Sequence, residues 1–168
     1  RYDKATGKWT GYVAQLKYTP GVAFDGAELL TGAYSRAVTQ TVNQIAAGAD
    51  LDQDGKIDEK ELLQAAHDYL CNTLFYDYDS YASYIAAKDY RIFCSAPAFL
   101  PDQVGSGVVC EGYAKACKVL CDRMGIPCVC IGGTVVQNGK TEGHMWNGVQ
   151  VNGKWYLTDV TWDDSAGT

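Results

Sequence analysis

Two of the Asn-Gly dipeptides in the last third of this chain, Asn138-Gly139 and Asn152-Gly153, fall between segments of alternating hydropathy. A tight two-residue hairpin turn needs positive φ at both central residues, and Asn-Gly is the pair that adopts it most readily. The residues around the two dipeptides alternate in hydropathy, which predicts strands over 128–136, 144–151 and 154–161 joined as an antiparallel meander. Just upstream, residues 110–124 carry apolar side chains at helical spacing, and Gly125 and Pro127 stop that run. A helix delivered into an antiparallel meander predicts an α+β fold, with the N-terminal helices and the residue-110 helix packed on the sheet.

Further upstream the period is helical. Asp25 with Glu28 three residues on is a capping-box arrangement. Leu30, Tyr34, Ala37, Val38, Thr41, Val42 and Ile45 then recur on one face, up to a stop at Gly48. A second helix is predicted over 59–74, burying Leu62, Leu63, Ala66, Tyr69, Leu70 and Thr73. A tyrosine-rich stretch follows, with a short helix predicted over 81–87. Pro97, Pro101, Gly105 and Gly107 mark irregular backbone before Cys110. Residues 1–24 form a separate aromatic segment, in which residues 1–9 read as a hairpin. That segment weakly resembles the short aromatic, Gly-containing repeats of bacterial cell-wall-binding proteins, which makes cell-wall association an expectation. Residues 25–168 form the main domain. With 168 residues and 47% hydrophobic content the chain can bury a proper core, so disorder is excluded. No apolar run reaches membrane-spanning length. The sequence opens on no signal peptide and stops soon after Trp162, so it reads as a piece cut from a longer protein, truncated at its C-terminal end.

Charge is concentrated in one place. The six acids Asp50, Asp52, Asp54, Asp58, Glu59 and Glu61, set against Lys56 and Lys60, hold −4 of the net −6. No basic stripe exists to meet nucleic acid. Residues 50–61 match the twelve-residue EF-hand calcium loop at each key position. Aspartates stand at positions 1, 3 and 5, glycine at 6, isoleucine at 8, aspartate at 9 and glutamate at 12. Calcium is a hard cation that takes six to eight oxygens. Asp50, Asp52, Asp54 and Glu61 would supply most of them, completed by the Lys56 carbonyl and a water beneath Asp58. The expected role is structural, pinning the first helix to the second; the bland reading is a solvated acidic turn.

Seven cysteines (71, 94, 110, 117, 121, 128 and 130) leave at least one thiol unpaired within the chain. Their spacing fits no zinc finger or ribbon, and there are only two histidines. Cys110 stands where loop becomes helix, and free N–H groups there stabilise a thiolate. Counting outward from Asn152-Gly153, Asp159 opposes Trp146 and lies diagonal to His144, on the same face, with both expected in strands. The predicted constellation is therefore a Cys110 nucleophile, a His144 base and an Asp159 that orients the imidazole. The Cys110 N–H would be an oxyanion donor and Gln103 its side-chain partner. Trp146 and Trp162 are candidates for a substrate groove or for core beside the triad. His67, inside a helix, reads as structural. Cys117 and Cys121 read as core, and Cys128 and Cys130 as core or a disulfide partner.

The segments 110–114, 125–128, 143–147 and 155–163, with the upstream 67–70 and 76–78, resemble the bacterial transglutaminase-like superfamily. The resemblance spans roughly residues 59–164. It implies a papain-like fold and a Cys-His-Asp triad, which falls on Cys110, His144 and Asp159. It further implies an enzyme that forms an acyl-enzyme on protein or peptide amides, with no organic cofactor. Crosslinking, peptidase and deamidase chemistry all fit, because they differ only in whether an amine or water resolves the intermediate. The alternative is a calcium-stabilised cell-surface binding module that keeps the fold without catalysis. The calcium loop and the repeat-like segment set an extracellular or bacterial cell-surface location as the expectation.

Overall fold

A computed structural model describes residues 2–3, 8–9, 32–137 and 139–165. The expected capping box at Asp25 lies outside the described residues. At the N-terminal end β1 (Tyr2–Asp3) pairs antiparallel with β2 (Lys8–Trp9), Tyr2 opposite Trp9.

Helix α1 (Ala33–Ala47) buries Val38, Thr41 and Ile45, the stripe its periodicity predicts. Helix α2 (Glu59–Thr73) opens with a complete capping box. Asp58 Oδ1 accepts the Glu61 N–H at 2.9 Å and Glu61 Oε2 accepts the Asp58 N–H at 3.0 Å, so two first-turn N–H groups are satisfied reciprocally. Then come β3 (Phe75–Tyr76), α3 (Tyr78–Ala87), two single 3₁₀ turns at Arg91–Phe93 and Ala96–Ala98, the short α4 (Pro101–Val104) and β4 (Gly107–Val108). Strands β3 and β4 pair in parallel, Tyr76 opposite Val108. Two-residue strands carry no period, so the sequence had them as loop.

Helix α5 (Cys110–Met124) is the centre of the fold. It buries Tyr113, Ala114, Ala116, Cys117, Leu120 and Cys121, and Gly125 closes it in a left-handed conformation at φ 77°. One side of α5 packs on the sheet; the other meets α1, α2 and the C-terminal helix α6 (Val160–Ser165).

The sheet is the predicted meander: β5 (Cys128–Gln137), β6 (Lys140–Val151) and β7 (Lys154–Thr158) in the order β5-β6-β7. Val151 faces Lys154 and Asn147 faces Thr158, the register counted from the Asn152-Gly153 turn, whose φ values are 50° and 75°. Two boundaries differ from expectation. Strand β6 starts at Lys140, so His144 lies inside the strand and not at its start. Strand β7 stops at Thr158, and residues 159–161, expected in it, leave the sheet to begin α6. An aspartate followed by helix-compatible residues satisfies its own first turn better than it extends a strand edge.

Candidate active site

Cys110 is the first residue of α5, which follows directly on β4 and an extended Val109. The Val109 N–H donates to the Ile92 carbonyl at 3.0 Å, which ties the start of the helix to the 3₁₀ turn carrying Phe93. That close approach needs a glycine on the first turn. A Cβ at Gly112 would lie 2.7 Å from both the Ile92 carbonyl oxygen and Val108 Cβ. Gly112→Ala is therefore expected to cost about 1–3 kcal/mol of overpacking. A thermal melt should show this as a drop of roughly 2–12 °C for a domain of this size.

The strand of His144 runs past the N-terminus of α5. Cys110 and His144 line one cavity of about 260 Å³, with Tyr76, Tyr81, Phe93, Glu111 and Met145 among its other walls. Gly132, Gly133 and Gly143 form the sheet-side rim. Tyr81 and Phe93 belong to an aromatic cluster in which Tyr84 meets Phe93 at 5.0 Å and Tyr90 at 5.8 Å, so much of the tyrosine-rich stretch packs on itself and presents one edge to the cavity.

His144 and Asp159 meet directly. His144 Nε2 lies 2.6 Å from Asp159 Oδ2, with the histidine side chain 7% exposed and the carboxylate 20%. The other carboxylate oxygen, Oδ1, accepts the Trp162 N–H at 3.4 Å, and the Asp159 carbonyl accepts the N–H groups of Trp162 and Asp163 at 3.1 Å each. Asp159 is thus the N-cap of α6 and the hydrogen-bond partner of His144 at once. The pairing foreseen from strand parity exists, but on a helix cap and not on a strand. Asp159 thus engages Nε2, and Nδ1 is the ring nitrogen to which it is not bonded.

Three forces act on the Cys110 thiol. Burial raises its pKa, and the negative charges of Glu111 and Asp159 add to that; the backbone N–H groups of Met145 and Glu111 pull the other way. The Met145 N–H is a donor that sequence reasoning missed, since no motif marks a backbone group one residue beyond His144. Tyr76 was also missed as a cavity residue. Burial, then the neighbouring Cys110, push its hydroxyl up to about 12, so it stays protonated at neutral pH.

The remaining expected site residues fall elsewhere. Gln103 sits exposed on α4 and is not among the residues lining the cavity, so the structure does not bring it to Cys110. Its place just upstream of Cys110 misleads because the turn at Gly105, φ 78°, redirects the chain. Trp146 and Trp162 do not line the Cys110 cavity either. They stack against the imidazole, at 5.8 Å and 4.9 Å between ring centroids, and border a separate apolar hollow with Val135 and Leu157. Trp146 shares the face of His144, but its indole lies over Gly133, where an added Cβ would come within 2.6 Å of the ring. His67 lies on α2 and bonds Asp68 and Asp163, each at 3.1 Å, tying α2 to α6.

The acidic loop closes on itself. Gly55 N–H donates to Asp50 Oδ2 at 3.1 Å, Lys56 N–H to Asp54 Oδ1 at 2.8 Å, and Leu51 N–H to Glu61 Oε1 at 2.9 Å. Gly55 holds φ 80°, which the sixth position of such a loop demands. The carboxylates of Asp50, Asp52 and Asp54 each bring an oxygen within 4.8 Å of the others. Asp50 Oδ1 is buried with no hydrogen-bond partner.

A helix-borne cysteine facing a strand-borne histidine, with an acid on that histidine, over an antiparallel sheet is the arrangement of papain-like cysteine enzymes. Comparison with known proteins places the chain in a superfamily. The model of the transglutaminase-like superfamily matches residues 41–160, well over half the sequence, and the chain belongs to that superfamily. It is 27% identical over 120 residues to mouse kyphoscoliosis peptidase, covering 61% of this chain and 17% of that protein. It is 28% identical over 124 residues to human kyphoscoliosis peptidase, covering 68% and 17%. The chain thus spans about a sixth of the length of these relatives. A crystal structure of a TGase superposes on 89% of this chain and 35% of its own, with a TM-score of 0.60 and 14% identity, a likeness of fold.

Proposed function

We propose that this domain is a cysteine-nucleophile acyl-transfer enzyme acting on protein or peptide amides, with Cys110, His144 and Asp159 as its triad. The observation that carries the reading is the half-buried His144–Asp159 hydrogen bond at 2.6 Å, beside the cavity that Cys110 and His144 line. Burial alone would leave the Cys110 thiol protonated and inert. In this reading His144 takes the thiol proton at Nδ1. Asp159 stabilises the resulting imidazolium through Nε2, and the stacked Trp162 ring favours the same charge. The thiolate sulfur then forms a bond to the amide carbon. The carbonyl oxygen gathers negative charge against the Cys110 N–H and the Tyr76 hydroxyl, which replaces Gln103 as the side-chain donor. Collapse breaks the C–N bond, His144 gives its proton to the departing amine, and a thioester remains on Cys110. Water or a second amine, deprotonated by His144, resolves it. The name peptidase carried by the mouse and human relatives favours water.

The protonation argument has a direct check. Iodoacetamide should alkylate Cys110 rapidly at neutral pH in the wild type. In His144→Ala the raised pKa of the buried thiol has no base to offset it. The rate at neutral pH should then fall tenfold or more, about tenfold for each pKa unit the thiol lies above the ambient pH, and recover as pH rises through the thiol range. Alkylation of His144→Ala at the wild-type rate at neutral pH would sink the assignment. Incubation with a glutamine-containing peptide, with and without a primary amine, separates the reactions: hydrolysis shows as cleavage or a mass gain of one unit for deamidation, transfer as the amine adduct.

The loop at 50–61 fits a calcium ion. The fit rests on the buried, partnerless Asp50 Oδ1 and the three converging carboxylates. Asp50, Asp52, Asp54 and Glu61 would hold the ion through side chains, with the Lys56 carbonyl and a water on Asp58 beside them. Calcium would supply structure and no chemistry at Cys110. An extracellular, cell-surface setting with abundant calcium suits such a loop.

A further inference from the structure

We propose that Cys117, Cys121 and Cys128 form a binding site for a thiophilic d¹⁰ metal ion, Cu⁺ held by these three sulfurs. Cys117 and Cys121 are one helical turn apart on α5 and aim at the sheet, where Cys128 opens β5. All three residues are buried, and their sulfur atoms lie within 4.8 Å of one another. Three points no farther apart than that share a centre about 2.8 Å or less from each, so a contraction of about half an ångström gives the ~2.3 Å of a metal–thiolate bond. Soft thiolate ligands select Cu⁺ and Zn²⁺ over hard cations.

A buried amide that faces the sulfurs sets this cluster apart from three small side chains packed as core. Asn147, 1% exposed, directs Nδ2 toward Cys128 Sγ at 3.5 Å and Cys130 Sγ at 3.7 Å, and donates to the Ala114 carbonyl at 3.0 Å. N–H donors on ligand sulfurs are the outer shell that a buried metal–thiolate charge needs. A disulfide would use two of the sulfurs and leave the third out, whereas an ion uses all three and releases their protons to solvent. Cysteine spacing conceals the site because two ligands come from a helix and one from a strand start.

The test uses the whole chain, purified without oxygen and with reductant present. Samples receive one equivalent of Cu⁺, are desalted, and are read by metal analysis and X-ray absorption. The expected result is about one ion per chain with a shell of three sulfurs. Cys128→Ser should cut retention tenfold or more, and Cys110→Ala should retain the ion, which keeps this site distinct from the proposed nucleophile. Failure of the wild type to retain the ion, a shell dominated by oxygen or nitrogen, a disulfide joining two of the three under the same reducing conditions, or full retention by Cys128→Ser overturns the proposal. The wild-type measurement stands even where a core variant fails to fold.

Discussion

Cys110→Ala is expected to reduce turnover of a peptide amide to background, a loss on the order of 10⁴-fold or more, and His144→Ala to do nearly the same, because residues of a triad act as a unit. Asp159→Asn is the more informative change. Asparagine caps a helix about as well as aspartate, so α6 should keep its first turn and the melting temperature should move little. The carboxylate facing His144 Nε2 is lost, however, and the amide offers the ring a choice of tautomers. The expected loss is about 10²–10⁴-fold in kcat. Asp159→Ala removes both roles and should add roughly 1 kcal/mol of instability to the same kinetic loss. Kinetic assay beside a melting curve for the two variants separates catalysis from capping. Retained turnover in Cys110→Ala would remove the mechanism altogether.

The second large effect concerns calcium. An ion that binds only the folded chain adds about 2.7 kcal/mol when present at a hundred times its dissociation constant. For a domain of this size that is roughly 5–10 °C in melting temperature. Chelation should reverse the gain, and Asp50→Ala combined with Glu61→Ala should abolish it. Glu61 also completes the α2 capping box, so the double variant will start from a lower metal-free melting temperature; the diagnostic quantity is the difference with and without calcium. An unchanged difference in the double variant would refute the site. The loop is coupled to the rest of the domain through the start and the middle of α2: Glu59 Oε2 accepts the N–H of Asn152 in the β6–β7 turn at 2.7 Å, and His67 bonds Asp163 of α6 at 3.1 Å. Ordering α2 therefore steadies the helix that Asp159 caps.

Much of this molecule can be read locally. Asn152-Gly153 sets the β6–β7 register because a two-residue turn leaves only one way to pair the flanking strands, and the observed pairing of Val151 with Lys154 follows. Gly125 closes α5 because a helix terminus in the left-handed region favours a residue without a side chain. The acidic loop is legible for the same reason: its carboxylates are spaced within one twelve-residue loop. In each case cause and effect lie within about a dozen residues.

Packing determined what lies beyond that span. That Asp159 serves His144 from a helix cap, that the Met145 N–H and Tyr76 reach Cys110, that Trp146 and Trp162 lie against the imidazole and away from the cavity, and that three cysteines converge beneath Asn147 all depend on how α5 seats on β5 and β6. Spacing along a chain encodes which face a residue takes on its own element. It does not encode which residue of another element meets that face, because the meeting depends on the angle and depth at which the two surfaces interlock.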